Sequence, residues 1–147
     1  MSNYYELINF LPQIPDELLI TDVNELYKRD NAFSSDRTYD YWYFTTLVDK
    51  PIHDLIQPCF DYPVSVYYQL SGVQLTPHID KGRHECFNYT ILPGGPDVKT
   101  RWYLDDKIIF QVTAPVKTWH KIRVDVTHDI SPIKSHRLSL SVQRKWH

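Results

Sequence analysis

The chain has 147 residues, 42% hydrophobic and 23% charged, with a formal charge of -2 and a sequence pI of ≈ 6.4. That length suits one domain around one core, and the near-neutral charge argues against a nucleic-acid partner held through phosphates. Cys59 and Cys86 lie far apart in no CxxC pair, which argues against a disulfide framework or a zinc ribbon. No run approaches the ~20 apolar residues of a membrane span, and MSNYYELINF lacks a basic leader, so a cytoplasmic protein is expected.

The N-terminal portion, 1–60, reads as mixed and partly helical. Pro15-Asp16-Glu17 ahead of LLITDVNELYKR predicts a helix from about Asp16 to Arg29, with acids in its first turn and basic residues at its end. Leu18, Leu19, Val23 and Leu26 give it one apolar side, expected to pack on the outer face of a sheet. A second short helix is predicted over Lys50 to Ile56.

From residue 61 the texture becomes β. PVSVYYQL, CFNYTIL, TRWYL, KIIFQVTA, WHKIRVDV and HRLSLSVQ are short runs rich in Val, Ile, Tyr, Phe and Thr. Turn residues separate them, among them Ser71-Gly72, Pro93-Gly94-Gly95-Pro96, Asp105-Asp106 and Ser131-Pro132. The pattern predicts a mainly β fold with N-terminal helices, an antiparallel sandwich or barrel of the jelly-roll kind. It also predicts a single unit over 1–147, with the β core in 61–147.

His78-Ile79-Asp80 carries the first chemical signal. In extended chain, residues i and i+2 share a face, so an imidazole and a carboxylate can address one metal ion. Alone, HxD is a common pattern and suits a solvated strand end equally well. Two histidines compete for a third corner, His120 and His128. Ile122, Val124 and Val126 alternate with polar neighbours, which turns both histidines inward. His128 precedes a turn and the strand opened by Arg137, nine positions on, so a hairpin is expected to bring His128 beside Arg137. A whole strand separates His120 from Arg137.

Two histidines and one carboxylate form the facial set suited to non-haem Fe(II), leaving coordination positions open for a 2-oxo acid and dioxygen. The far carboxylate of such a co-substrate needs a cation, and Arg137 offers a planar fork, with the Ser139 hydroxyl on the same face. Asn88 and Thr90 are placed to point inward from a neighbouring strand. Arg83, three residues past Asp80, is a candidate for a co-substrate or anionic substrate oxygen, or equally a solvated turn residue. One of Trp102 and Tyr103 is expected to face the site. Trp119 reads as core, while His84, His136 and His147 read as surface.

LTPHIDKGRHECFNYTIL, TRWYL and the stretch HDISPIKSHRLSLSV together resemble the iron(II)- and 2-oxoglutarate-dependent oxygenase superfamily. The HxDxxR pattern and the Asn after it are most similar to the aspartyl/asparaginyl β-hydroxylase-like branch. The resemblance covers about the C-terminal half. It implies a double-stranded β-helix, iron on His78, Asp80 and His128, and the distal carboxylate of 2-oxoglutarate gripped by Arg137; Ser139, Asn88 and Arg83 stand beside these as further candidates for co-substrate contact. The implied activity is hydroxylation of a small molecule or a peptide side chain. Aspartyl β-hydroxylases proper lack the metal-binding carboxylate that Asp80 supplies here, so their substrate is not carried over. Three other readings compete: a cupin-like metal protein that does not use 2-oxoglutarate, a non-catalytic binding module, and a zinc hydrolase, which here lacks a well-placed general base.

Overall fold

Alternation along the strands sorts the side chains onto two faces, and the two faces have opposite character. The computed structural model describes residues 3–29, 33–34, 43–72, 75–80 and 82–145. Its strands are β1 (Tyr5–Leu7), β2 (Phe33–Ser34), β3 (Tyr43–Leu47), β4 (Val64–Ser71), β5 (Leu75–His78), β6 (Glu85–Pro93), β7 (Thr100–Leu104), β8 (Lys107–Val112), β9 (Trp119–Arg123), β10 (His128–Ile130) and β11 (Arg137–Arg144). Two helices, α1 (Val23–Tyr27) and α2 (Lys50–Ile56), lie in the N-terminal portion.

A seven-stranded sheet runs β1-β9-β6-β11-β4-β3-β2 and a four-stranded sheet runs β5-β10-β7-β8. Pairing within both sheets is antiparallel. This is the jelly-roll arrangement expected from the strand pattern. Among the described residues, no helix is long and apolar enough to cross a membrane.

The larger core lies on the outer face of the large sheet. Val64, Val66, Tyr68 and Leu70 of β4 join Tyr89 and Ile91 of β6 and Leu138, Leu140 and Val142 of β11. Leu26 of α1 and Ile52 and Ile56 of α2 cover them, with Leu18, Leu19 and Val23 packed against the same cluster. The side chains of opposite parity face the small sheet and are mostly polar. A smaller cluster of Cys86, Trp102, Ile122 and Val124 fills part of the space between the sheets.

The N-terminal region departs from the single helix expected over Asp16 to Arg29. A 3-10 turn at Asp16–Leu18 ends at Leu19, which is extended (φ -87, ψ 135), and α1 begins only after Asp22. Two contacts explain the break. The Ile20 amide donates to the Tyr68 hydroxyl at 3.0 Å instead of to a helical carbonyl. The Asp22 carboxylate accepts from the Asn24 amide at 2.9 Å, an N-cap that restarts the helix. α2, by contrast, spans the predicted residues, with Pro51 in its first turn.

The N-terminal portion also contributes strands. β1 pairs with β9, and β2 and β3 extend the large sheet beyond β4. Tyr43-Phe44-Thr45-Thr46-Leu47 has the aromatic and β-branched content of a strand.

A second difference concerns the expected hairpin. β10 pairs with β5 and β7 in the small sheet, whereas β11 pairs with β4 and β6 in the large one. The segment between them crosses from sheet to sheet, so His128 and Arg137 sit on opposite sheets and not on adjacent strands. Ser131-Pro132 therefore marks a crossover. Asp105 (φ 51) and Asp106 (φ 65) make the true tight hairpin, joining β7 and β8.

Leu26 is fully buried where α1 meets the large sheet. Leu26→Ala is expected to lower unfolding free energy by about 2–5 kcal/mol in denaturant titration while leaving metal affinity unchanged. A loss near zero would contradict the placement of this core.

Candidate metal centre

His78 closes β5, and Asp80 follows two residues later with its amide donating to the Val124 carbonyl at 2.8 Å. His128 opens β10 directly across from His78 in the register of the small sheet. The two imidazole rings stand 4.4 Å apart between centroids. In both, Nδ1 lies 2.7 Å from the carbonyl oxygen two residues back, Thr76 for His78 and Val126 for His128. A carbonyl only accepts, so Nδ1 carries the proton and Nε2 is left with its lone pair.

Those two Nε2 atoms converge on one carboxylate oxygen. Asp80 Oδ1 lies 3.2 Å from His78 Nε2 and 3.7 Å from His128 Nε2. One ligand atom from each of the three residues falls within 4.8 Å of the others. Bonds of ~2.0–2.2 Å place adjacent ligands ~3 Å apart, so a small inward movement suffices to close the set on a metal ion. The second oxygen of Asp80 is held by Arg83 Nη2. The Asp80 carboxylate, an acceptor that favours the protonated imidazole, raises the pKa of His78, while burial lowers that of His128.

The three residues share a cavity between the sheets with Arg137, Ser139, Asn88 and Arg83. Arg137 lies across it on the large sheet, and is only 8% exposed. The register places it beside Ser71 of β4 and Pro93 of β6, and Nη1 donates to the Pro93 carbonyl at 3.2 Å. Gly94 makes room for it: a Cβ there would stand 2.9 Å from Ile133 Cγ2 and 3.0 Å from Arg137 Cβ, and φ is +86. The Gly94 carbonyl accepts from the Lys134 and Ser135 amides at 2.9 and 3.1 Å, fixing the crossover that leads into β11. Burial pulls the Arg137 pKa down to about 10. Among the described residues no carboxylate pairs with this guanidinium.

Ser139 stands opposite Thr90 and Gln69 in the register. Thr90 is fully buried and, among the described residues, its hydroxyl has no hydrogen-bond partner. Asn88 faces the cavity from the same strand and accepts from the Cys86 thiol at 3.8 Å. Ser141 and Gln143 also line the cavity, continuing the every-second-residue series begun by Arg137 and Ser139. Alternation along RLSLSVQ carries that information, which extends the inward series past Ser139.

The remaining expectations divide. His120 is inward-facing, as alternation required, but it lies on β9 of the large sheet and is absent from the His78–Asp80–His128 group. Trp119 belongs to the outer core and donates to the Pro12 carbonyl at 2.8 Å. Neither Trp102 nor Tyr103 lines the cavity, contrary to expectation. Trp102 packs between the sheets against Tyr4 and Phe110, with its indole donating to the Arg123 carbonyl at 3.0 Å. The Tyr103 hydroxyl donates to Asp129 Oδ2 at 2.8 Å, on a carboxylate also held by Arg101 at 2.8 and 2.7 Å. His53 contacts the Val64 carbonyl, His84 pairs with Asp125 and His136 is exposed; His147 lies outside the described residues.

No family model matches the chain, and no curated protein matches it. Solved structures do. A prolyl-4-hydroxylase from Pseudomonas putida superposes with a TM-score of 0.61 at 13% identity, over 98% of this chain and 93% of that one. This likeness shows the fold. A mutant of the Bacillus subtilis oxalate decarboxylase gives 0.49 at 9% identity, over 93% of this chain and 36% of that one. A cupin-like protein from Thermotoga maritima gives 0.39 at 8% identity, over 75% and 76%.

His120 supplies a test of the cavity's electrostatics. Burial is the largest influence and takes its pKa from 6.5 to about 4, with the Arg137 charge pushing in the same direction. The unfolded chain therefore takes up a proton that the folded chain refuses. His120 contributes stability fully above the unfolded pKa, and that contribution is lost as pH falls through the folded value, a change of ~3 kcal/mol. Chemical unfolding of the metal-free protein at both ends of this window should show His120→Gln losing ~3 kcal/mol less than wild type. Parallel losses would contradict the burial of a neutral imidazole.

Proposed function

We propose that the cavity binds Fe(II) and 2-oxoglutarate and that the protein is a dioxygenase hydroxylating a small molecule or a peptide side chain. One observation carries the reading: the convergent His78, Asp80 and His128 share a cavity with Arg137, a buried cation with no carboxylate partner among the described residues. A buried charge without a counterion is costly, and a ligand carboxylate would complete it. A metal site using neither 2-oxoglutarate nor any other anion gives no reason for such an arginine. The fold is shared with a protein named as a prolyl-4-hydroxylase, and a hydroxylation is what is proposed here.

The donor set fits ferrous iron. Two neutral imidazole nitrogens and one carboxylate oxygen approach from one side and leave the opposite side to the cavity. His78 and His128 would bind through Nε2, with their orientation held by the Thr76 and Val126 carbonyls, and Asp80 through Oδ1. When bound, such an iron supplies open coordination positions and the electrons with which dioxygen is activated.

The chain's own residues would do the rest. Arg137 would take the far carboxylate of 2-oxoglutarate by a charge-assisted bond, with Ser139 and the partnerless Thr90 hydroxyl donating beside it. Asn88 would orient the co-substrate from β6. Arg83, by holding the second oxygen of Asp80, would keep that carboxylate monodentate toward the metal. The surrounding sheets would exclude bulk water. In the net reaction one oxygen atom enters the substrate as a hydroxyl, the other enters succinate, and carbon dioxide leaves. No general base is required.

Arg137→Ala should weaken 2-oxoglutarate binding by ~30-fold or more, on the order of 2–5 kcal/mol, and leave Fe(II) affinity nearly intact. Arg137→Lys should recover part of it, since an ammonium lacks the planar fork. His78→Ala should lose metal and turnover together. Calorimetric titration alongside a melting curve separates the roles: a lower Tm with wild-type 2-oxoglutarate affinity would show that Arg137 is only structural.

A further inference from the structure

The cavity holds a second guanidinium whose geometry is only half accounted for. Arg83 Nη2 is engaged by Asp80, yet Arg83 Nη1 is buried and, among the described residues, has no hydrogen-bond partner. The bond to Asp80 anchors the side chain, so Nη1 is not free to swing to water. A buried donor without an acceptor costs ~1–3 kcal/mol, more when it belongs to a charged group, and such vacancies in native sites are commonly filled by a ligand, an ion or water. Arg83 lies in the turn between β5 and β6, where its pairing with Asp80 and its electrostatic effect on His128 place it at the metal end of the cavity. Arg137 opens β11 of the large sheet.

The charges of the lining sharpen the point. Among the described residues that line the cavity, Arg83 and Arg137 are the cations and Asp80 is the only acid. A divalent metal ion and a dicarboxylate added to this set leave one positive charge uncompensated in the cavity. Cys86 does not supply the missing anion, because burial pushes its thiol up to about 12. The counter-charge has to arrive with another ligand.

We propose that Arg83 Nη1 is the substrate's anchor and that the substrate is a carboxylic acid, bound with its carboxylate on Arg83 and its reacting carbon toward the face of the metal left open by His78, Asp80 and His128. The inference rests on the reading of the site as an Fe(II) and 2-oxoglutarate centre, and it adds the substrate's chemical class. Arg83 thus has two roles through its two nitrogens, orienting Asp80 through one and selecting an acid through the other. A free small acid and the acidic side chain of a peptide both present this group.

The test uses the full chain loaded with Zn(II) as a redox-inert ion and saturated with 2-oxoglutarate. Free monocarboxylic and amino acids, blocked aspartate and blocked glutamate are titrated alongside their matching primary amides, with binding read by ligand-detected NMR. At least one acid should bind about tenfold or more tightly than its amide, the difference between a charge-assisted and a neutral contact. Preference for free acids over the blocked residues, or the reverse, identifies the source of the carboxylate. Arg83→Gln that still holds zinc, as its zinc content reports, should have lost the acid preference. Acids and amides binding alike to the wild type, or no acid binding at all, would overturn the proposal without reference to any variant. A loss of 2-oxoglutarate affinity in Arg83→Gln with the acid preference intact would overturn it too, assigning Arg83 to the co-substrate. Failure of wild-type protein to bind 2-oxoglutarate would be a different result, removing the reading of the site on which the proposal stands.

Discussion

The large sheet is built with its apolar side outward, and the rest of the molecule follows from that. Val64, Val66, Tyr68 and Leu70, with Leu138, Leu140 and Val142, point away from the small sheet. A sheet so arranged requires a second cover, which the N-terminal segments provide through Leu26, Ile52 and Ile56. Because stability is drawn from that outer layer, the space between the sheets is released from being a hydrophobic core. Gln69, Asn88, Thr90, Ser139 and Ser141 can then face inward around a cavity.

A polar interior must still satisfy its groups, and the pattern of satisfaction outlines the site. His78 and His128 have one ring nitrogen each tied to a backbone carbonyl, and Arg101, Tyr103 and Asp129 complete one another on β7 and β10. The exceptions among the described residues cluster in the cavity: one nitrogen of Arg83, the Thr90 hydroxyl, and the Arg137 charge with no carboxylate beside it. Their distribution around the His78–Asp80–His128 group is the physical basis for reading the cavity as a site for anionic ligands.

Strand positions were legible because the alternation in PVSVYYQL and RLSLSVQ reports two faces directly. TRWYL became β7 without change, and the Asp105-Asp106 turn occurs where its residues suggest. The proximity of His78 to Asp80 follows from extended geometry alone. What could not be read was the partner of each strand. WHKIRVDVTHD keeps its inward parity from His120 to His128, yet the chain changes sheets in between, and parity is silent about which sheet a residue faces from. The same limit hid the crossover before Arg137. The break at Leu19 depended on the Tyr68 hydroxyl, 48 residues away, taking the Ile20 amide. The Arg83–Asp80 pair was within local reach in HIDKGR, but its vacant second nitrogen is a property of the packed cavity.

The central claim, that one cavity holds iron and 2-oxoglutarate together, is tested most directly by anaerobic titration of the metal-free protein with Fe(II) and then with 2-oxoglutarate, followed by visible absorption. The account predicts a single iron per chain, then a new absorption on adding 2-oxoglutarate that requires the iron and is missing in His128→Ala. Iron binding with no change on adding 2-oxoglutarate, or 2-oxoglutarate binding that is indifferent to iron, would contradict it.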